Sequence, residues 1–245
     1  MAWHCLSNNS TAPNTRVNNM GDDEENPYTV EYLDEPDAGP VEPAWIKRAG
    51  KAKVVYSNGN TYEGQFSEDK LKEGEGTYTW STNAEDEEDE EGPPKTTAQY
   101  SGQYRNGKRH GKGKMTFPNG DTYTGEWENN KMNGEGTYIY KTDKGDADVF
   151  SGTWVADVKQ GEGTYEFGVD KSQLVGTWEA GSIVAGTWRF PDGGCYEGKF
   201  ENGKPAGEGS FKHANGYTQP GTFVAKAVDG DEEATTVEWQ GGTVA

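Results

Sequence analysis

The sequence predicts an all-β protein, an elongated single-layer antiparallel meander of repeated hairpins. Three observations lead there. Aromatic residues and glycines alternate at period two, as in Phe150-Ser-Gly-Thr-Trp154, which places them on one face of a strand. The alternation recurs with a base period of about 22–24 residues, the mark of a repeat architecture. Asn-Gly pairs punctuate the runs, and Asn-Gly is the strongest short hairpin signal. Composition agrees, since 12% of residues are aromatic and only 31% hydrophobic. That is rich in rings and lean in the aliphatics a thick core needs.

The elements follow in order. A half unit, GKAKVVYSNG (Gly50 to Gly59), opens the series. The first full unit starts at Tyr62-Glu-Gly-Gln-Phe66 and reaches Gly74-Glu-Gly-Thr-Tyr-Thr-Trp80 one residue late. Tyr100-Ser-Gly-Gln-Tyr104, Tyr123-Thr-Gly-Glu-Trp127, Phe150-Ser-Gly-Thr-Trp154 and Tyr196-Glu-Gly-Lys-Phe200 each reach their second glycine pair at one common offset. Leu174-Val-Gly-Thr-Trp178 reaches Gly186-Thr-Trp188 one residue early, with Val184 where the first glycine of the pair belongs. Tyr217 to Phe223 is a degraded last unit. The reading is six units and two partial caps.

Each unit is expected to be two short antiparallel strands. Phe150, Gly152 and Trp154 share a face, and so do Gly161, Gly163, Tyr165 and Phe167. Glycine costs strand propensity but leaves room for a ring to lie flat on the backbone. Tiled rings add roughly 0.5–1.5 kcal/mol per pair beyond burial. Asn106-Gly107 and Asn202-Gly203 are expected to turn within units; Asn58-Gly59, Asn119-Gly120 and Asn215-Gly216 between them, since both positions of Asn-Gly tolerate positive φ. At about 4.8 Å per strand, six units would span on the order of 60 Å. Stability would then be a sum of neighbour contacts.

Three regions are expected: an acidic, largely irregular segment 1–49, the repeat sheet 50–223 with an acidic loop 81–98, and a tail 224–245. The formal net charge of −19 is localised: −8 in residues 1–44, −7 in 84–92 and −4 in 225–245, leaving the remainder neutral. A nucleic-acid binder should show the opposite balance. Tyr28, Tyr32 and Trp45 are candidate anchors of the first segment, and Val237 with Trp239 a candidate last strand. The two cysteines, Cys5 and Cys195, make no disulfide framework, so a reduced, cytoplasmic compartment is the default. MAWHCLSNNS lacks the apolar stretch of a secretory signal, and no apolar run approaches the ~18 residues of a membrane span.

Catalytic readings fail on spacing. Gly102 to Lys108 fits most of a P-loop, but Arg109 stands where Ser or Thr must follow, and Gly198 to Lys204 repeats the near-match. The three histidines are scattered, with no metal-ligand spacing and no nucleophile elbow. Glu75, Glu135, Glu162 and Glu208 recur between paired glycines and read as a solvated ladder rather than catalytic carboxylates. No enzyme activity, cofactor, metal or nucleic-acid partner is expected. Two candidate surfaces remain. Arg105, Lys108, Arg109, Lys112 and Lys114 form a basic cluster that could hold an anionic headgroup or an acidic protein segment. Tyr104, Trp127, Trp154, Trp178, Trp188 and Phe200 form an aromatic stripe that reads first as structural, but a one-layer sheet cannot bury both faces, so one side is expected to be covered by a partner, a second copy or its own tails.

Across residues 50–223 these units resemble the MORN repeat, with the pattern Y-x-G-x-W-x-N-G-K-x-x-G-x-G-x-Y-x-Y/F-x-N-G. The resemblance implies an extended antiparallel sheet, often dimeric, used as a scaffold. Six repeats, acidic flanks and the closing run FENGKPAGEGSFKHANGYTQPGTF resemble the radial spoke head MORN proteins of cilia and flagella. That narrower resemblance implies an axonemal location, other spoke-head and axonemal proteins as partners, pairing with a second copy or another MORN protein, and a part in motility. The alternative is a membrane-associated adaptor acting through the basic cluster. MORN arrays also precede catalytic domains elsewhere, but the 22 residues after Phe223 would serve an enzyme only in trans.

Overall fold

A computed structural model describes residues 29–34, 46–81, 96–142, 145–228 and 231–242. These residues are all strand and turn, with no helix among them. A short strand, β1 (Thr29–Tyr32), and β2 (Gly50–Val55) precede the hairpins. The six hairpins are β3 (Thr61–Phe66) with β4 (Lys72–Ser81), β5 (Thr96–Arg105) with β6 (Lys108–Thr116), and β7 (Thr122–Glu128) with β8 (Lys131–Tyr140). Then come β9 (Asp148–Val155) with β10 (Val158–Glu166), β11 (Gln173–Glu179) with β12 (Ser182–Arg189), and β13 (Cys195–Glu201) with β14 (Lys204–Lys212). β15 (Thr218–Val228) and β16 (Asp231–Gly241) close the chain. The hydrogen-bonded strand order is the chain order, β1 through β16, and β16 does not close onto β1. The fold class is therefore the antiparallel meander that the alternation predicts, with one hairpin per repeat.

Three differences from the sequence reading concern boundaries. β1 lies inside the 1–49 segment, and pairs along its whole length with β2. β4 continues to Ser81 and β5 begins at Thr96, so the segment between them is shorter than 81–98. The tail carries the second half of β15 and all of β16, which contains Val237 and Trp239. Tyr28, Trp45 and the acidic run lie outside the described residues.

Contacts divide the chain into two compact units, residues 14–138 and residues 139–245, with the boundary inside β8. In the first unit, glycines occupy one register position on successive strands: Gly64 pairs with Gly76, Gly76 with Gly102, Gly102 with Gly113 and Gly113 with Gly125. In the second, the same row runs Gly152, Gly163, Gly176, Gly186, Gly198, Gly209, Gly221 and Gly241. Each row is a track of bare backbone. Where a ring leads the unit, it lies on this track: a Cβ on Gly76 would sit 2.7 Å from Cε2 of Tyr62, one on Gly163 2.6 Å from Cζ of Phe150, and one on Gly209 2.7 Å from Cζ of Tyr196.

The two glycines of each second pair have different jobs, which corrects the shared-face reading of Gly161 and Gly163. Gly163 is on the track under Phe150. Gly161 sits in a β-bulge between Lys159 and Gly163, at φ +75°, and its Cβ position faces Thr153 rather than a ring. The bulge needs left-handed backbone, which glycine adopts without a Cβ penalty. Gly74, Gly111, Gly134 and Gly207 hold the matching position at positive φ. In β11–β12 the register shifts by one residue less, between the pairs Thr177–Ala185 and Trp178–Ile183. Val184 fills that smaller bulge without positive φ, which is why this unit runs one residue short.

The turns also differ in kind. Within five of the six units both turn residues take positive φ: Asn106 and Gly107, Asn129 and Asn130, Ala156 and Asp157, Ala180 and Gly181, Asn202 and Gly203; in the longer β3–β4 turn only Lys70 does. Between units only the second turn residue does, as at Gly59, Gly120, Gly193 and Gly216, with Lys171 in that place after Asp170. There the asparagine serves through its side chain. Oδ1 of Asn58, Asn119 and Asn215 accepts from the backbone N–H two residues on, at 3.0 Å in each case. Asp192 and Asp170 make the same bond at 2.9 Å.

Candidate interaction surface

The ring face is built from residue spacing. In every unit but the one led by Leu174, the first aromatic stands two residues before its track glycine and the second aromatic two after, so all three share a face. The second aromatic then stands edge-on between neighbouring leading rings. Tyr104 meets Tyr62 and Tyr100 at centroid distances of 5.4 and 5.3 Å, and Trp127 meets Tyr100 and Tyr123 at 5.3 and 5.2 Å, all near-perpendicular. Phe150 receives Trp154 at 5.3 Å and Trp178 at 5.0 Å. The tryptophans reach further: Nε1 of Trp127 donates to the carbonyl of Gly113 and Nε1 of Trp178 to that of Gly163, both at 3.2 Å. The leading tyrosines donate their hydroxyls to the carbonyl three residues on, beside the bulge: Tyr62 to Gln65, Tyr100 to Gln103 and Tyr123 to Glu126, at 3.0–3.1 Å.

These contacts locate the aromatic stripe. Tyr104 is 6% exposed, Trp127 4%, Trp154 0%, Trp178 2% and Phe200 3%. Five of the six stripe residues are thus core side chains, covered by rings of the same chain. Only Trp188 is half-exposed, next to half-exposed Phe190 at 5.1 Å.

A second class of residue completes this face. Two residues before each bulge glycine stands another side chain of this face, a cation among the rings at Lys72, Arg109 and Lys159. The position holds Lys72, Arg109, Met132, Lys159 and Pro205, with Ile183 in the short unit. Lys159 is 3% exposed, and its ammonium lies 4.9–5.2 Å from the ring centroids of Tyr140, Phe150, Tyr165 and Trp178. Burial pushes its pKa down to about 8, opposed by the Asp148 carboxylate. Asp148 accepts from the Tyr165 hydroxyl at 2.6 Å and from the N–H of Gly168 at 2.7 Å. The sequence carries this signal at even spacing from the glycine, but lysine and arginine there read as solvent-facing.

Arg109 belongs to that class, and so the basic cluster divides. Its guanidinium lies 4.6 Å from the Trp127 ring centroid and donates to the carbonyl of Asn130 at 2.8 Å. Arg105, Lys108, Lys112 and Lys114 remain exposed. Arg105 and Lys108 flank the Asn106-Gly107 turn; Lys112 and Lys114 lie on the opposite, polar face, where Lys112 pairs in register with Glu126 and Lys114 with Ser101 and Thr124. The polar face is the outer surface of the repeat. Glu75, Glu135, Glu162 and Glu208 are all exposed on it. Hydroxyls pair across strands, as between Thr77 and Ser101 at 3.1 Å. A shallow groove in the first unit is lined by Lys51, Lys53, Glu63, Glu75, Thr77 and Ser101. Among the described residues, no group of His, Cys, Asp and Glu is arranged to hold a metal ion, and no helix is long and apolar enough to cross a membrane.

Comparison with known families agrees with the hairpin geometry. Five segments match the family model of the MORN repeat: residues 62–84, 100–122, 123–143, 150–169 and 196–216. The chain therefore carries MORN repeats, a class found in protein-binding and membrane-associated repeat proteins that are in general structural or adaptor proteins. The hairpin β11–β12, led by Leu174 and carrying the small bulge, falls outside the matched segments but keeps the same pairing and glycine row. No curated protein matches the chain.

Proposed function

We propose that the protein is a structural scaffold subunit of a ciliary or flagellar axonemal complex, most specifically the radial spoke head, where it supports motility. One observation carries the scaffold reading: the chain spends its rings on burying one another, 0% exposed at Tyr62, Tyr100, Tyr123, Phe150 and Tyr196. That leaves a regular polar face and the sheet edges for partners. A sheet whose apolar side is filled from within can present the outer face without deforming, and repeated spacing suits several subunits at once. The axonemal placement rests on the resemblance of the closing repeats and acidic flanks to spoke-head MORN proteins. Partners are then other spoke-head and axonemal proteins, met by charge and hydroxyl pairing rather than by bare rings.

A second reading has its own observation. Arg105, Lys108, Lys112 and Lys114 are exposed and could hold an anionic lipid headgroup, making the protein a membrane-associated adaptor. Extraction separates the two. Tagged protein in a flagellated cell should stay with the demembranated axoneme through detergent and leave only with chaotropic salt, together with other large subunits. Release by detergent, and loss of membrane association on substituting Lys108 and Lys112, would establish the adaptor instead.

A further inference from the structure

We propose that the hairpin β15–β16 is a strand-addition site, which takes an extended, lysine- or arginine-bearing segment of a partner on the outer edge of β16. The inference rests on the scaffold reading and names where one partner binds. β15 and β16 are each 11 residues long, against nine for β14. β14 pairs with β15 only from Thr218 to Phe223. Pairing between β15 and β16 continues to Val228 and Asp231. Among the described strands, residues 224–228 therefore have β16 alone as a neighbour. The hairpin overhangs β14 by about 17 Å, at about 3.4 Å per residue.

Such a ribbon is incomplete. Two strands alone are marginal in water, and a bare edge presents a row of unpaired N–H and C=O groups. β16 is last in the strand order, and no described strand pairs with its outer edge. The first edge is managed differently. β1 has only 4 residues. Beside it, the Tyr32 hydroxyl accepts from the N–H groups of Lys47 and Arg48 at 2.8 and 3.1 Å. The Arg48 guanidinium covers the Tyr32 ring at 4.2 Å and binds Asp34 at 2.8 Å. Shortness and the Arg48–Asp34 pair blunt that edge, whereas β16 is long, and its sequence, DEEATTVEWQG, carries four acids and no Pro, Lys or Arg, a charge that opposes another acidic strand but not a cationic one.

Charge selects the occupant. Residues 225–245 contain five acids and one base. A second copy would bring the same acids to the same edge; a basic segment is complementary. Trp239 continues the ring face, 4.9 Å from both Phe211 and Phe223. An added strand would extend that face with apolar residues at every second position, and put its cations level with Glu238 on the other.

The test uses the full-length protein and two fluorescent peptides of β16's length, one alternating Val and Lys, the other Val and Glu. Anisotropy should show the Val–Lys peptide binding with an affinity that falls with salt, by about tenfold or more over the Val–Glu peptide. N–H groups along a strand point alternately to the two neighbours. Of Thr236→Pro and Val237→Pro, one should therefore keep the wild-type Tm and lose peptide binding, while the other lowers Tm by breaking the pair with β15. The proposal is overturned if the Val–Lys peptide does not bind, if both peptides bind alike, if neither variant weakens binding, or if sedimentation shows a dimer lost in the edge variant. None of these readings depends on where the protein resides in a cell, so failure of the axonemal placement would be seen separately.

Discussion

Gly76 and Tyr62 make one contact between them that neither residue predicts alone. Gly76 is at ordinary strand φ, so its need for a bare Cα is steric and comes from the ring above it. Gly76→Ala should lower stability by at least the 1–3 kcal/mol typical of overpacking, read as a shift of the urea midpoint. Tyr100→Phe keeps the ring on the track and removes only the bond to Gln103, so its cost should be about 1 kcal/mol. Lys159 gives a pH signature with a definite sign. Its native value of about 8 lies below the ordinary 10.5, so the unfolded chain binds more protons between those values, and stability rises with pH across that window. Buried Tyr62, Tyr100 and Tyr165 act the other way: burial raises them, and their contribution is lost as pH climbs above about 10. Thermal unfolding should therefore be most resistant near pH 9–10, and Lys159→Met should flatten the rise between pH 8 and 10 while leaving the alkaline loss.

At the scale of the hairpin, the repeat tolerates poor turn residues because register is fixed elsewhere. Ala180 sits at φ +48° in a two-residue turn whose partner is Gly181. A non-glycine residue pays roughly 1–2 kcal/mol in that region, and asparagine less. Ala180→Asn should raise Tm, by a stability gain of about 1 kcal/mol in the hairpin β11–β12. The period, the hairpins and the glycine-on-ring packing were all legible in the sequence, because each depends on spacing within one unit. The Ala156-Asp157 turn was not, since alanine does not signal positive φ and the pairing of β9 with β10 imposes it. The separate roles of Gly161 and Gly163 were also hidden, because a bulge changes register without changing the alternation of residue types. The burial of Trp154 and Trp178 depends on rings from neighbouring strands, and so could be read only once those strands were paired.

The whole molecule is a meander with its rings closed in and its polar face turned out, and its proposed work as a scaffold follows from that division. If partners dock on the polar face and the β16 edge, Trp127, Trp154 and Trp178 take no direct part in binding. Substituting them would damage binding only through stability. The most direct measurement is hydroxyl-radical footprinting of the free protein, followed by mass spectrometry of each tryptophan. The account predicts that Trp127, Trp154 and Trp178 are protected in the free chain, and that exposed Val155 and half-exposed Trp188 are modified. Rapid modification of Trp154 and Trp178 in the free protein would contradict it, and would make the aromatic stripe the open surface that a partner has to cover.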